Sequence, residues 1–302
     1  RVSLNMKIVY LWCVLVLMGS CNGISWLALK ETKPEFWNNS GVCLTSKKAY
    51  GLAKRQVKLC RRNLSSMPHI ISASKRAVET CQRVFGNRRW NCSSILHTPN
   101  LKPDLTAGTR EQAYAYALSA ASVAHAIARA CSSGSIRYCG CGSIPREPPN
   151  GNFKWGGCAD NIRHGIKFSK NFVDAPDIVR AKKPSAEPRP LHYMNRHNNR
   201  VGRRTLESSL RLQCKCHGVS GSCNIQTCWK SLHPIPEVGS RLLRKYNKAT
   251  EVRLKWIGTH LELMPSNPTM GLYSKEDLIY IKKSPDYCTK NDKFGSIGTK
   301  AR

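Results

Sequence analysis

A chain of 302 residues with 41% hydrophobic side chains holds enough apolar material for a sizeable core, which excludes general disorder. Its 49 basic against 18 acidic residues, a formal charge of +31, exceed what solubility requires and point to polyanionic partners. In the cytosol or nucleus that partner would be nucleic acid; outside the cell it would be sulfated glycans and anionic surfaces.

The first residues decide the compartment. Met6 and Lys7 precede an apolar run from Ile8 to Met18, and Gly19-Ser20-Cys21-Asn22-Gly23 follows with small side chains. This is the layout of a secretory signal peptide over residues 1–23, cleaved after Gly23, with five extra residues ahead of Met6. The run falls short of the roughly 20 apolar residues a membrane-spanning helix needs. Secretion sets nucleic acid aside and makes disulfides the expected state of the thiols. Removing Cys13 and Cys21 with the signal leaves thirteen of the 15 cysteines, so at least one lacks a partner within the chain. The last residues, Gly298 to Arg302, show no stabilising end feature, and the expectation is a C-terminally truncated chain.

Asn38, Asn63 and Asn91 open Asn-x-Ser triplets and are candidate glycosylation sites; Pro268 excludes Asn267. Met67, Ile70, Ile71, Ser74, Ala77, Val78, Cys81 and Phe85 recur at helical spacing and predict a core-facing helix over 67–85, with Pro68 in its first turn. Cys81 could bridge from that helix end to Cys92. A second helix is predicted from Thr109, in a capping box with Gln112, to Cys131; its alanines permit close approach and place it at the centre. Arg110, Glu111, His125 and Arg129 exclude a membrane span, and His125 reads as a satisfied interior histidine rather than a ligand. Cys131, Cys139 and Cys141 then cluster among glycines and serines, and Cys158 follows a loop over 145–152. Asp160 or Asn161 caps a third helix containing Ile162, Ile166, Phe168 and Phe172. Residues 174–204, basic and broken by prolines, predict a mobile surface loop. A fourth helix over 205–212 then leads into the next cysteines. Beyond Trp229, Pro234 and Pro236 mark a boundary. Val238, Leu242, Leu243 and Tyr246 predict a short helix, and Val252, Leu254 and Trp256 alternate as a half-buried strand does. A second strand is predicted over 278–281. Cys288, alone in this region, is the natural candidate for the unpaired thiol.

The densest chemistry lies in Cys214-Lys215-Cys216-His217-Gly218-Val219-Ser220-Gly221-Ser222-Cys223-Asn224-Ile225-Gln226-Thr227-Cys228-Trp229. Its four cysteines can close nested disulfides, pinching the backbone into a hairpin whose small tip residues present the Ser220 hydroxyl. Four readings compete. A four-thiolate metal site is disfavoured by secretion. A nucleophilic Ser220 served by His217 fails the Gly-x-Ser-x-Gly pattern at Ser222 and has no obvious acid to orient the imidazole. An acyl group on Ser220 would add about 0.8 kcal/mol per buried CH₂ to any apolar contact. A purely structural staple is the fourth, and by the residues alone it leads.

The run from Cys214 to Cys223 resembles the signature of the Wnt family of secreted signalling glycoproteins. Arg88-Arg89-Trp90-Asn91-Cys92, the 109–131 helix, Trp155-Gly156-Gly157-Cys158-Ala159-Asp160-Asn161 and Ser284-Pro285-Asp286-Tyr287-Cys288 resemble it too, in the same order. Residues 24–29 and 117–131 look most like the Wnt-eleven subgroup. The implied fold is α+β and disulfide-rich: a helical N-terminal domain over 24–233 carrying a stapled β-hairpin thumb at 214–229, then an incomplete, small cysteine-rich β domain over 234–302. The resemblance implies the pairs Cys43–Cys60, Cys81–Cys92, Cys131–Cys139, Cys141–Cys158, Cys214–Cys228 and Cys216–Cys223, with Cys288 left over. It further implies that Ser220 carries a palmitoleoyl ester added by the acyltransferase Porcupine, with no cofactor and no metal. The lipid would enter a groove of the Frizzled cysteine-rich domain, with Lys215, His217, Gly218, Val219 and Gly221 as the surrounding protein contact. The implied role is that of a non-enzymatic developmental ligand, secreted to the extracellular space and matrix. It would signal through the β-catenin-independent branch of cell polarity and movement. Wnt co-receptors, heparan sulfate proteoglycans and a secretory carrier are the further partners implied. Family members continue into a cysteine-dense second finger, so a chain ending at Arg302 is expected to signal poorly. The rival reading is a basic, disulfide-rich matrix or heparin-binding protein without a receptor.

Overall fold

The computed structural model describes residues 23–149, 151–181, 190–258, 260–267, 269 and 271–299, so the expected signal peptide, apart from Gly23, lies outside the described residues. A 3-10 segment, Ser25–Glu31, first buries Trp26, Leu27 and Leu29. The helices are α1 (Val42–Ala49), α2 (Lys54–Arg62), α3 (Met67–Phe85), α4 (Arg110–Ser132), α5 (Ile162–Val173), α6 (Ala175–Ala181), α7 (Pro190–Glu207) and α8 (Ile235–Asn247). Strands β1 (Lys154–Trp155), β2 (Leu210–Cys216) and β3 (Gln226–Leu232) form one sheet in the order β1-β3-β2. A second sheet, β5-β4-β6, contains β4 (Thr250–Ile257), β5 (His260–Pro265) and β6 (Ile279–Tyr280), and β7 (Lys290–Asn291) pairs with β8 (Ser296–Ile297). The architecture is a helical N-terminal domain with a small β domain.

The helix at the centre is α4, which packs against α3, α5, α7 and α8. Every side chain from Glu111 to Ala128 is buried. The abundance of alanine lets neighbours approach closely, and the approach is tightest where α7 crosses. A Cβ added to Gly202 would lie 1.9 Å from the Ala117 carbonyl oxygen, so only glycine fits there. At the N-terminus the Thr109 hydroxyl accepts from the Gln112 N–H at 3.1 Å, as expected. The return half differs: Gln112 Oε1 accepts from the Gly108 N–H at 2.7 Å, one residue before the position a reciprocal capping box uses. Helix α3 spans the predicted residues, with all eight spaced positions buried. Burial of the larger ones, Met67, Ile70, Ile71, Val78 and Phe85, contributes about 1.5–3 kcal/mol each.

His125 needs a correction. It is interior, 2% exposed, and neither ring nitrogen makes a hydrogen bond of good geometry; the His233 backbone acts on the ring only weakly. The imidazole is buried and poorly satisfied. Burial above all, with Arg129 and Arg76 adding, lowers its pKa to about 4, so the ring is neutral.

Residues 174–204 do not form the predicted surface loop. Their described parts are α6 and most of α7, and residues 182–189 lie outside the described residues. The polar side chains that suggest a loop are buried and paired with one another. Asp174 takes two hydrogen bonds from the Arg203 guanidinium, at 3.0 and 2.9 Å, and one from Asn199. Asp177 binds His192 at 2.8 Å and accepts from Asn195. Asn198 donates to the Ile279 carbonyl and accepts from the Ile279 N–H, tying α7 to β6. Nor does a helix cover 205–212: α7 ends at Glu207 and β2 starts at Leu210. Helix α8 contains the predicted Val238, Leu242, Leu243 and Tyr246, and it buries Ile235, Val238 and Leu242. Met194, Val252, Leu263 and Ile279 make a second, smaller core where α7 meets β4, β5 and β6. The predicted alternation in β4 is buried at Val252 alone; Trp256 is 67% exposed.

Candidate functional site

The cysteine-rich run folds as an antiparallel hairpin of β2 and β3, with Cys214 opposite Cys228 and Cys216 opposite Gln226. Disulfides join Cys214 to Cys228, whose Cα atoms are 4.0 Å apart, and Cys216 to Cys223. The first locks two directly opposed strand residues; the second closes the loop above them. The remaining bridges are Cys43–Cys60, Cys81–Cys92, Cys131–Cys139 and Cys141–Cys158, the same partners that the family resemblance implies. Among the described residues Cys288 is the free cysteine, half-buried.

At the tip the backbone folds back on itself. His217 N–H donates to the Ile225 carbonyl at 2.7 Å, Gly218 N–H to Ser222 at 2.8 Å, and Gly221 N–H to Gly218 at 2.9 Å. Gly218 is required by this crossing, because a Cβ there would sit 2.5 Å from the Ser222 carbonyl oxygen. Ser220 takes the left-handed conformation, φ 56° and ψ 27°, which costs an L-residue about 1–2 kcal/mol. Lys215, His217, Val219, Ser220 and Gly221 are exposed and Gly218 half-buried. Val219 is 90% and Ile225 64% exposed, so the tip offers apolar surface beside the hydroxyl. No hydrogen bond links Ser220 to the His217 ring among the described residues, and the sequence has no carboxylate between Glu207 and Glu237. A proton relay through His217 therefore has no acid on this hairpin to orient it.

The base is held differently. Asp160 Oδ2 accepts from the Leu232 N–H at 2.8 Å and from the Ser231 hydroxyl at 3.3 Å, while Oδ1 accepts from Ser132 at 2.7 Å. The Asp160 N–H also donates to the Lys230 carbonyl at 3.1 Å. One carboxylate thus ties the end of α4 to the root of β3. Of the two capping candidates for α5, Asn161 is the cap, accepting from the His164 N–H at 3.1 Å. Sequence reasoning named Asp160 only as a possible cap and missed its role in holding the hairpin root. Its partners lie 28 to 72 residues away, and no local spacing marks them.

The four hairpin sulfurs are bonded in pairs, which removes them as thiolate ligands. Cys131, Cys139 and His164 lie close enough to share an ion, but the two sulfurs are bonded to each other, leaving a lone imidazole. Of the candidate glycosylation sites, Asn38 is exposed, and Asn63 and Asn91 are half-buried. Asn91 Oδ1 accepts from the Ser93 N–H at 3.2 Å, beside the Cys81–Cys92 bridge. None of the described helices is long and apolar enough to cross a membrane.

A family model described as "wnt family" matches residues 48–302. The curated Protein Wnt-11b-1 of Xenopus tropicalis is 44% identical over 295 residues, 97% of this chain and 82% of that protein. Protein Wnt-11 of Gallus gallus is 45% identical over 285 residues, 94% of this chain and 78% of that protein. Among solved structures, a chain of human WLS in complex with WNT8A matches with a TM-score of 0.54 and 34% identity. That match covers 78% of this chain and 74% of the other.

Proposed function

We propose a function from one premise: this chain belongs to the Wnt family, and its relatives are of the Wnt-11 subgroup. It is a Wnt signalling ligand, a class that works by binding rather than by catalysis. In our reading the working part is the β2–β3 hairpin, with Ser220 acylated by palmitoleate in the secretory pathway through Porcupine. The chain is then secreted, and the acyl group is taken up by a groove of the Frizzled cysteine-rich domain. Lys215, His217, Gly218, Val219 and Gly221 make the contacts around it.

The observation that carries this reading is the left-handed Ser220 on an exposed tip held by two disulfides. The strained, solvent-facing hydroxyl is open to a modifying enzyme, and the staples keep the attached chain from folding back onto the core. We further propose β-catenin-independent output, with co-receptors, heparan sulfate proteoglycans in the matrix and a carrier of the WLS kind as partners. Residues 24–233 and 234–302 are read as the two domains, and Asn38, Asn63 and Asn91 as glycan sites. Intact mass of protein made with active Porcupine should show one palmitoleate, absent from Ser220→Ala. Receptor binding by that variant should fall by at least about tenfold, since even two lost buried CH₂ groups are worth more than 1.4 kcal/mol. An unmodified Ser220 together with undiminished binding by Ser220→Ala would sink the mechanism.

A further inference from the structure

We infer that the groove between α1 and α2 is a binding site for a linear sulfated saccharide. The groove encloses ≈ 640 Å³ and is lined by Lys47, Lys54, Lys58, Arg61 and Arg62, together with Leu44, which is 55% exposed. None of these cations is in an ion pair among the described residues. The sequence carries no acidic residue between Glu35 and Glu79. This inference rests on the reading above, in which sulfated glycans of the matrix are partners, and names the residues that meet them.

This groove differs from a merely solvated basic face in three respects. First, solubility is served by charges of both signs interspersed, whereas like charges at i, i+3 and i+4 repel. Lys54 and Lys58, and Lys58 with Arg61 and Arg62, stand at those spacings on one helix. Second, the helix dipole accounts for only part of the set. Lys47, Arg61 and Arg62 lie in last turns, where cations are favoured, but Lys54 is the first residue of α2, where a cation is disfavoured. Third, the Cys43–Cys60 bridge joins the two helices, so the groove's shape is set before any ligand arrives.

The geometry also selects the ligand. Lys54, Lys58, Arg61 and Arg62 share one face of α2 and cover about 12 Å of its axis, with Lys47 contributed by α1. A single phosphate can engage two or three of these groups at once. A rod bearing sulfates along its length can engage all of them, with arginine forks taking the sulfates in pairs of hydrogen bonds. A concave groove admits such a rod more readily than the flat face of a bilayer.

The test compares two triple variants of the full chain, matched for charge. One is Lys58→Ala with Arg61→Ala and Arg62→Ala in the groove; the other is Lys248→Ala with Lys282→Ala and Lys283→Ala. All six side chains are exposed, and circular dichroism checks that both variants fold. Affinity for a heparin oligosaccharide of defined length is measured across a salt series. The groove variant should lose about tenfold or more and show a flatter salt dependence, as expected for lost counterion-releasing contacts. The control should stay within about twofold of the parent, and Ser220→Ala should bind heparin normally. Equal losses in both triples would overturn the site in favour of diffuse net charge. Unchanged heparin affinity in the groove variant, with lost binding to phosphatidylserine–phosphatidylcholine vesicles, would overturn it in favour of a membrane surface. A parent chain that does not bind heparin would remove the glycan part of the reading as well, leaving the acylated hairpin untouched.

Discussion

On α4 every side chain from Glu111 to Ala128 is buried, whereas on β2 every residue from Arg211 to Lys215 is exposed. Both segments hold a defined backbone, by opposite means. The helix is fixed by apolar contact on all sides and by close approach at Gly202. The hairpin has almost no burial beyond its root, and two disulfides supply what packing does not. Covalent closure lets a segment be rigid and bare at once, which burial cannot do. That combination is what a tip presenting Val219 and Ser220 to a partner requires.

The contrast predicts where damage spreads. Gly202→Val should be the most severe change, because the new atoms overlap backbone rather than a movable side chain. A loss of about 3 kcal/mol or more is expected, read as failed secretion or a large drop in Tm, with the hairpin lost along with the core. The next effect is on pH. His125 has its pKa lowered from 6.5 to about 4, so the folded chain stays neutral where the unfolded chain takes up a proton. Its contribution is therefore complete above pH 6.5 and is lost progressively as pH falls toward 4, by about 3 kcal/mol in all. Urea melts at pH 7 and pH 4.5 should differ less in His125→Leu than in the parent; an identical difference would reject this source of acid sensitivity.

A smaller and more local effect is expected at the staples. Replacing Cys216 and Cys223 together by serine should cost the hairpin about 2 kcal/mol. Hydrogen exchange should speed up over 217–225 while the α4 amides keep their protection. Matching loss of protection in α4 would show that the two segments are coupled after all. The smallest change in stability is predicted for Ser220→Gly. It should steady the tip by roughly 1 kcal/mol by relieving the left-handed strain, while removing the proposed acyl acceptor. Slower exchange at the tip with no acylation would separate the strain from the chemistry.

The helix over 67–85 was legible because its apolar positions repeat at the helical period, and the one over 110–132 from its Thr109–Gln112 start and its run of alanines. The hairpin was legible because four cysteines at short spacing leave little freedom in how the backbone closes. Residues 174–204 were not. Asp174 is met by Arg203, Asp177 by His192 and Asn195, and Asn198 by the Ile279 backbone, and a polar residue buried by such partners looks the same in sequence as one in solvent. The conformation of Ser220 was hidden for a related reason, since nothing in a serine codon announces a positive φ. Asp160 was seen as a possible helix cap, yet its carboxylate serves the hairpin root instead.

The sheet order β1-β3-β2 carries one more consequence. It leaves β2 as an edge, with seven residues of backbone and no strand on its outer side among the described residues. An open edge is a template on which another chain can add a strand, and the acyl group proposed for Ser220 would bring such chains together at a membrane or in micelles. Arg211 and Lys215, exposed on that strand, put positive charge where a second copy of the same edge would have to dock. Repulsion between those charges would oppose self-association along β2.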